Sequence, residues 1–311
     1  MKILVTGGAG YVGYPLVAQL LSYENIDVTV LDKLLYMDEY MESVKFIYGD
    51  VSNHKLMVKI LPDFDIVIHL AGIVGDAACA IRQDETRKAN IESVRILAEN
   101  FGGKIIFMSS CSVYGASNEL LDEESSLNPL SLYAETKIMA EEILQDSNAT
   151  IFRLGTLHGV SKRPRFDIVV NILTMKALLS GEISVFGGNQ WRPLLGIRDI
   201  VSMITTASLL MPEPKGIYNI AGENMTVKEI ADQVVSALPG TKVHTTDTKF
   251  EDNRNYRVTC AKAERDFGKT TYIHKVVDTI QDIICLHKEG RIKDYSNLRY
   301  SNVSKLTFDL K

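Results

Sequence analysis

Short apolar runs alternate with amphipathic segments along the first half of the chain. Runs of aliphatic and β-branched residues, each followed by glycine or a polar residue, predict β-strands at 1–5, 28–31, 45–48, 65–70 and 104–108. Apolar positions at helical spacing predict α-helices over 86–99 and 133–144. Because strands that alternate with helices assemble into α/β folds, this pattern predicts a doubly wound parallel sheet.

A glycine-rich turn follows the first predicted strand directly. It has the sequence T-G-G-A-G-Y-V-G, with Gly7 permitting a tight turn and Gly10 letting backbone N–H groups approach an anion. Gly13 lets the next helix pack closely against the strand. Because the N-terminus of a helix attracts phosphate, the turn, including Tyr11 and Val12, predicts a site for the pyrophosphate of a dinucleotide.

The acidic residue at the end of the second predicted strand indicates which dinucleotide binds. Asp32 can accept hydrogen bonds from both ribose hydroxyls of an adenosine, and its charge would repel a 2′-phosphate. Lys33 beside it can offset part of that repulsion. We therefore predict NAD as the cofactor, with NADP as the alternative that the charge argument disfavours.

Composition and charge narrow the class of protein. The chain has 311 residues, of which 46% are hydrophobic, enough for one large or two modest domains with a substantial core. A net charge of −5 gives no reason to expect binding to nucleic acid or to an anionic membrane. The longest apolar stretch, 66–80, is interrupted by His69 and Asp76 and falls short of the ~20 residues that a membrane-spanning helix needs.

Cysteine usage bears on metal binding and on the cellular compartment. The four cysteines, at positions 79, 111, 260 and 285, show no C-x-x-C pair and no spacing typical of metal ligands. No segment resembles a signal peptide, since the first strand begins almost at once. We therefore predict no bound metal and a cytoplasmic location.

The second predicted helix carries a tyrosine and a lysine that are candidates for catalysis. Tyr133 and Lys137 are four residues apart and so lie on one helical face. The Lys137 ammonium, together with the positive nicotinamide of NAD, would lower the pKa of Tyr133 toward the working pH. A phenolate tuned in this way can take a proton from an alcohol as hydride leaves its carbon. The alternative is that Tyr133 and Lys137 lie on a solvated helix face. Their position after the fifth predicted strand disfavours this alternative.

Together these motifs resemble the extended short-chain dehydrogenases/reductases of the nucleotide-sugar epimerase/dehydratase kind. The resemblance covers nearly the whole chain and rests on T-G-G-A-G-Y-V-G at 6–13, Asp32, Asp50-Val51, His69-Leu70-Ala71-Gly72, Asn90, S-S-C-S-V-Y-G at 109–115, Tyr133-x-x-x-Lys137, Arg192-Pro193 and Arg198-Asp199. Beyond the glycine turn and Asp32, it implies cofactor contacts at Lys33, Asp50, Val51, Leu70, Ala71, Gly72, Asn90, Tyr133 and Lys137. It also implies that Ser110 is the catalytic hydroxyl, hydrogen-bonded to the sugar oxygen that it shares with Tyr133.

The resemblance further implies how the chain divides. It predicts an NAD-binding Rossmann domain at 1–155, to which part of 193–212 returns, and a smaller nucleotide-sugar-binding lobe formed by 157–190 and 213–311. A cleft between two such parts suits a two-part ligand. Within the smaller lobe we predict a strand at 217–221, and Thr226 with Glu229 predicts a capping box that opens a helix. Related enzymes pair through the helices carrying Tyr133 and 86–99, which implies a homodimer.

A nucleoside diphosphate is strongly anionic, so its site should contain arginines, which grip phosphate oxygens in a bidentate fork. Arg192 and Arg254 match positions where the family holds the diphosphate. The further substrate contacts that we predict are Ser110, Ser112, His158, Arg165 and Asn171. For Arg165, in the basic segment 162–167, a solvated loop is the alternative. His158 is either a second proton carrier or a hydrogen-bonded structural residue.

Departures from the family pattern bear on the reaction. Cys111 and Ser112 stand where 4,6-dehydratases carry an Asp-Glu pair, so dehydration is disfavoured. Enzymes that epimerise carbons 3 and 5 carry a cysteine at the position of Ser112, and we interpret Cys111 as a buried small hydrophobe. Gly196 replaces the usual histidine of the family.

What remains is redox chemistry at carbon 4 of a nucleotide sugar. The leading hypothesis is a 4-epimerase that acts on a nucleoside-diphosphate hexose through a transient 4-keto sugar. The alternative is a one-way C4 dehydrogenase or 4-ketoreductase acting on a nucleotide hexose or heptose. A third hypothesis, a non-catalytic NAD-sensing protein, is disfavoured because the chain retains Tyr133 and Lys137.

Overall fold

Strands and helices alternate from the first residues onward, as the apolar pattern predicts. A computed structural model describes residues 1–37, 40, 43–210, 214–246, 254–268, 272–292 and 294–309. The described strands are β1 (Lys2–Thr6), β2 (Asp27–Asp32), β3 (Lys45–Tyr48), β4 (Ile66–His69), β5 (Lys104–Ser110), β6 (Ala116–Leu121), β7 (Ala149–Leu154), β8 (Thr156–His158), β9 (Glu182–Phe186), β10 (Trp191–Gly196), β11 (Gly216–Ile220), β12 (Glu223–Thr226), β13 (Lys242–Thr246) and β14 (Asn255–Val258). All the strands predicted in the first half are confirmed, with bounds shifted by no more than two residues.

Helices connect most of these strands. They are α1 (Gly13–Leu20), α2 (His54–Ile60), α3 (Asp76–Ile81), α4 (Gln83–Arg87), α5 (Ser93–Asn100), α6 (Leu132–Ile143), α7 (Val169–Ser180), α8 (Ile197–Leu209), α9 (Val227–Ala237), α10 (Ala261–Phe267), α11 (Val276–Lys288) and α12 (Asn302–Phe308). The predicted helix over 86–99 corresponds to α4, a π-helical turn at Lys88–Glu92, and α5. Within the described ranges, no helix is long and apolar enough to cross a membrane.

The main sheet is parallel and doubly wound, as predicted. Its strand order is β11-β7-β5-β4-β1-β2-β3, and every neighbouring pair runs parallel. The chain winds outward in opposite directions from β1 and β4, where Thr6 pairs with His69. In sheets of this kind the crevice at the carboxyl ends of such strands binds the ligand.

Both faces of the sheet are covered by helices. Successive residues of a strand point to opposite faces, so Ile3 and Val5 enter one core while Leu4 enters the other. The first core contains apolar side chains of α1 and α8, and the second contains those of α2, α5 and α6. This two-sided burial explains why the central strands are apolar at nearly every position.

A second group of elements forms a separate core. Strands β8, β10 and β12 form one small sheet, and β9 pairs with β13. Helices α7, α9 and α11 pack together with buried side chains from β9 and β10. The predicted capping box is confirmed, because Thr226 and Glu229 exchange hydrogen bonds between side chain and backbone at the start of α9.

The predicted strand at 217–221 is present, but its assignment to the smaller lobe is wrong. As β11 it pairs with β7, with Ile217 opposite Ile151, and extends the main sheet. Tyr218 packs in the core of that sheet together with Ala263 of α10. The apolar residues of 217–221 indicate a buried strand, but they carry no information about which strand lies beside it. Of the predicted lobe, residues 213, 247–253, 269–271, 293 and 310–311 lie outside the described residues.

Candidate active site at the carboxyl ends of the sheet

The glycine turn is packed too tightly for larger residues. Gly7 has a φ of +73°, and a Cβ there would lie 2.6 Å from the backbone nitrogen of Ala71. A Cβ on Gly13 would collide with the Gly7 carbonyl oxygen, while Gly10 donates its N–H to that same oxygen at 3.0 Å. The turn therefore needs glycine at its first position for conformation and at Gly13 for close packing.

Helix α1 begins directly behind this turn. Val12 is its N-cap residue and makes no side-chain cap, so the first N–H groups of the helix have no side-chain acceptor. The Tyr11 hydroxyl donates to the carbonyl of Gly159 at 2.7 Å and ties the turn to the loop after β8. An uncapped helix start behind a glycine cradle fits the pyrophosphate of a dinucleotide.

Two carboxylates surround the predicted ribose site. Asp32 accepts hydrogen bonds from the N–H groups of Ala9 at 3.0 Å and Leu34 at 2.7 Å. Lys33, the cation that could have favoured a 2′-phosphate, is paired with Asp50 at 3.0 Å. Because this pairing neutralises Lys33 and leaves the Asp32 carboxylate in place, the local charge fits NAD better than NADP.

The predicted segment after β4 lies beside the glycine turn. Leu70 donates its N–H to the Thr6 carbonyl at 3.0 Å, and the N–H of Ala71 reaches the Thr6 hydroxyl at 3.4 Å. That hydroxyl also contacts the ring of His69 at 2.8 Å. Val51, after β3, is buried in the core below. These contacts hold the ends of β1 and β4 together at the point where strand order reverses.

Asn90 joins this segment to the catalytic helix. Its carbonyl oxygen accepts the Ile73 N–H at 2.9 Å, and its amide nitrogen donates to the Ile73 carbonyl at 2.9 Å and to Thr136 at 3.2 Å. A Cβ on Gly72 would lie 2.9 Å from the Asn90 carbonyl oxygen. Asn90 therefore fixes the loop after β4 against α6, while direct contact with the cofactor stays a prediction.

The predicted catalytic pair lies on one face of α6 and is buried. The Lys137 ammonium donates to the Met108 carbonyl at 2.8 Å and lies 5.8 Å from the centre of the Tyr133 ring. Burial lowers the pKa of Lys137 to about 8. The N-cap residue of α6 is Ser131, whose hydroxyl accepts the Ala134 N–H at 3.2 Å. The spacing inference from the sequence is thus confirmed in geometry.

A row of hydroxyl groups faces this pair at the end of β5. Ser110 hydrogen-bonds the Tyr133 hydroxyl, and Ser112 donates its own hydroxyl to Ser110 at 2.9 Å. The Ser112 N–H also reaches the Ser110 oxygen at 3.2 Å. The structure therefore brings together the predicted Tyr133, Lys137, Ser110 and Ser112.

The protein surroundings of Tyr133 raise the pKa of its hydroxyl in the chain alone. Burial, the largest cause, raises the pKa of this phenol above its usual value, and the neighbouring Cys79 adds to the increase. The hydrogen bond from Ser110 and the charge of Arg165 oppose it. The decrease expected with the positive nicotinamide bound stays a prediction, and the Y-x-x-x-K spacing says nothing about the opposing effect of desolvation. A positive nicotinamide ring would act in the opposite direction to burial.

The two arginines predicted to hold a diphosphate lie side by side. Arg192 donates from its guanidinium to the backbone carbonyl of Arg254 and, at 2.9 Å, to that of Trp191. Arg254 in turn pairs with Asp76 of α3 at 3.2 Å. Asp76 was not among the predicted site residues, because it begins a short helix with no recognisable motif.

The loop after β8 is ordered by Asn171 rather than solvated. Asn171 accepts the Gly159 N–H at 3.2 Å and donates to the carbonyls of Gly159 and Arg165 at 2.9 Å each. Arg165 pairs with Asp167 at 2.9 Å, and its side chain is only 12% exposed. Burial raises the pKa of Tyr11 and Tyr133, and the nearby positive charge of Arg165 opposes that increase at both hydroxyls.

His158 is buried and hydrogen-bonded to a helix of the separate core. It is 1% exposed, contacts Thr279 of α11 at 2.8 Å, and lies 5.6 Å from the ring of His274. His274 also explains Gly196, because a Cβ at that position would lie 2.7 Å from the His274 Cβ. Of the two alternatives for His158, the geometry favours the hydrogen-bonded structural one, and its predicted contact with substrate finds no support here.

Buried neutral histidines should make the fold sensitive to acid. Burial lowers the pKa of both His69 and His158 from 6.5 to about 3. Below pH 6.5 the unfolded chain therefore binds protons on these rings that the folded chain excludes. We expect the free energy of unfolding to fall as the pH drops below 6.5, with a slope that approaches about 1.4 kcal/mol per pH unit for each histidine.

Urea unfolding at several pH values between neutral and about pH 5 measures this slope. His158→Asn should reduce the slope, whereas His54→Asn, at an exposed position, should leave it unchanged. A slope that His158→Asn does not alter would contradict the assignment.

Known proteins resemble this chain in sequence and in structure. The UDP-glucose 4-epimerase of Lactobacillus helveticus is 26% identical over 270 residues, which span 75% of this chain and 82% of the relative. A putative UDP-glucose 4-epimerase of Methanocaldococcus jannaschii is 30% identical over 249 residues, or 74% of this chain and 80% of the relative. The solved UDP-glucuronic acid 4-epimerase from Bacillus cereus, in complex with UDP-glucuronic acid and NAD, superposes with a TM-score of 0.81 at 25% identity, covering 93% of this chain and 99% of that one.

The family match covers the part of the chain that holds most of the site. The profile of the NAD dependent epimerase/dehydratase family matches residues 3–221. That range contains the glycine turn, Asp32, Ser110 and the Tyr133 and Lys137 pair. The chain therefore belongs to the NAD dependent epimerase/dehydratase family, and it is an enzyme whose cofactor is NAD.

Proposed function

We propose that this enzyme epimerises carbon 4 of a nucleoside-diphosphate hexose, with a UDP-hexose as the first candidate substrate. The observation that carries the proposal is the joining of two groups of side chains. Tyr133, Ser110 and Lys137 form a proton-handling centre, and Arg192 and Arg254 form a cationic pair connected to it through Asp76. A sugar linked to a diphosphate is a ligand that both groups suit. The relatives named as UDP-glucose 4-epimerases support the choice of nucleotide.

Each side chain has a defined task in this proposal. The Tyr133 phenolate takes the proton of the C4 hydroxyl, and Ser110 hydrogen-bonds the same sugar oxygen. Lys137, anchored to the Met108 carbonyl, stabilises the phenolate. Bound NAD supplies the hydride acceptor and donor for carbon 4. The glycine turn, Asp32 and the segment after β4 hold it in place.

Dehydration is disfavoured by the residues beside Ser110. Cys111 is fully buried, its thiol contacts the Arg153 carbonyl at 3.2 Å, and burial raises its pKa well above the usual value. Ser112 is occupied with Ser110. Elimination of water needs an acid and a base at the sugar, and neither position supplies one. Cys111 is thus the buried small residue that the sequence predicts.

We infer a homodimer paired through α5 and α6, on which Met139 is exposed at the surface of α6. Sedimentation at the mass of two chains would support the pairing, and sedimentation at the mass of one would contradict it.

The described cysteines are all free thiols, which supports a reducing compartment such as the cytoplasm.

Incubation with a panel of sugar nucleotides tests the proposed reaction. The purified enzyme is mixed with UDP-, GDP-, dTDP- and CDP-hexoses without added cofactor, and products are separated while NADH absorbance is recorded. We expect a C4 epimer with no lasting rise in NADH. A keto sugar with NADH in proportion to enzyme would instead support the one-way dehydrogenase.

A further inference from the structure

Asp76 connects the two halves of the proposed site. One oxygen of its carboxylate lies 3.2 Å from the guanidinium of Arg254. The other accepts a hydrogen bond from the Ser131 hydroxyl at 2.7 Å. Ser131 is the N-cap of α6, the helix that carries Tyr133. A single carboxylate therefore contacts both an arginine of the diphosphate pair and the start of the catalytic helix.

Arg254 is where this carboxylate and a substrate would meet. Carboxylate and phosphate oxygens are both anionic acceptors that bind the guanidinium fork. The guanidinium of Arg192 holds the backbone carbonyl of Arg254. The Arg254 side chain can therefore change partner while its backbone stays in place. The ion pair is only partly buried, with the Arg254 and Asp76 side chains 31% and 32% exposed, so solvent can reach it.

From this geometry, and resting on the proposed function, we propose that Asp76 competes with the substrate diphosphate for Arg254. Before nucleotide binds, Asp76 holds the Arg254 guanidinium; the diphosphate, which carries more negative charge, then replaces it. Asp76 keeps its hydrogen bond to Ser131 throughout. Asp76 is therefore a positioning residue for Arg254. Its competition weakens the binding of every anion at Arg254, so a ligand needs more negative charge to displace it.

Asp76→Asn tests this competition, because the amide can still accept from Ser131 but no longer attracts Arg254 strongly. Titration calorimetry with UDP, on the full chain with NAD present, should show binding about two- to fivefold tighter than in the wild type. KM for the sugar nucleotide should fall by a similar factor. Unchanged or weaker UDP binding in a variant that melts like the wild type would overturn the proposal.

Two further variants separate competition from a general effect of charge. Asp282→Asn removes an equally exposed carboxylate that pairs with Arg198 on the surface, and it should leave UDP affinity unchanged. In an Arg254→Ala background, Asp76→Asn should no longer tighten binding, since the two residues act through one contact. Tightening that persists in that background would show that Asp76 does not act through Arg254. Failure of the wild type to bind UDP would count against the proposed function itself.

Discussion

Tyr133→Phe is expected to lower kcat on the sugar nucleotide by about 10²- to 10⁴-fold while NAD remains bound. The change removes only the hydroxyl that hydrogen-bonds Ser110, the group proposed to exchange a proton with the sugar. The ring keeps its place in the apolar cluster with Ile73 and Cys79, so the fold should be retained. The glycine turn that holds the dinucleotide is untouched.

The measurement compares kcat, the NAD content of the purified protein and the melting temperature. Tyr218→Phe is a matched control, because Tyr218 is also buried and hydrogen-bonded through its hydroxyl, to Asp266 at 3.1 Å, but lies on β11 in the core that contains α1 and α8. That variant should retain turnover. If turnover by Tyr133→Phe stays within about tenfold of the wild type, a group other than Tyr133 transfers the proton.

Removal of one partner of the buried Arg153–Glu141 ion pair should destabilise the fold by about 3–5 kcal/mol. The Nη2 atom of Arg153 in β7 lies 2.7 Å from the Oε2 atom of Glu141 in α6, and the two side chains are 3% and 4% exposed. Ser109 also donates to Glu141, and Arg153 donates to the Tyr114 hydroxyl at 2.9 Å. Glu141→Ala would leave the Arg153 guanidinium buried with no opposite charge.

Denaturant unfolding of Glu141→Ala measures this cost. Asp232→Ala breaks an ion pair with Lys228 whose side chains are 60% and 65% exposed, and should cost about 0–1 kcal/mol. The double variant Glu141→Leu with Arg153→Met should recover much of the loss, because no unpaired charge remains in the core. A cost for Glu141→Ala no larger than that for Asp232→Ala would contradict the structural role of the pair.

Features that depend on local sequence could be predicted from it. The strands of the main sheet follow from apolar runs, and the glycine turn follows from spacing, because both depend on neighbouring residues. The shared face of Tyr133 and Lys137 follows from helical geometry alone. The pairing of Lys33 with Asp50, in contrast, brings the ends of two strands together and required the sheet.

Features that depend on long-range packing could not be predicted. The edge position of β11, the contact of His274 with Gly196 and the link from Arg254 through Asp76 to Ser131 each join segments far apart in the chain. The desolvation that raises the pKa of Tyr133 in the chain alone could not be predicted for the same reason, since burial is set by the whole fold. Apolar pattern and spacing report which residues are buried or aligned, but not which distant residues they meet.

Reversible redox chemistry at carbon 4 can be followed with a UDP-hexose that carries deuterium on that carbon. The enzyme is incubated with this substrate, and the product is examined by nuclear magnetic resonance and mass spectrometry. Reversible transfer of a single hydride predicts the C4 epimer with deuterium still on carbon 4. Loss of deuterium from carbon 4, its transfer to carbon 6, or a complete absence of epimer would contradict it.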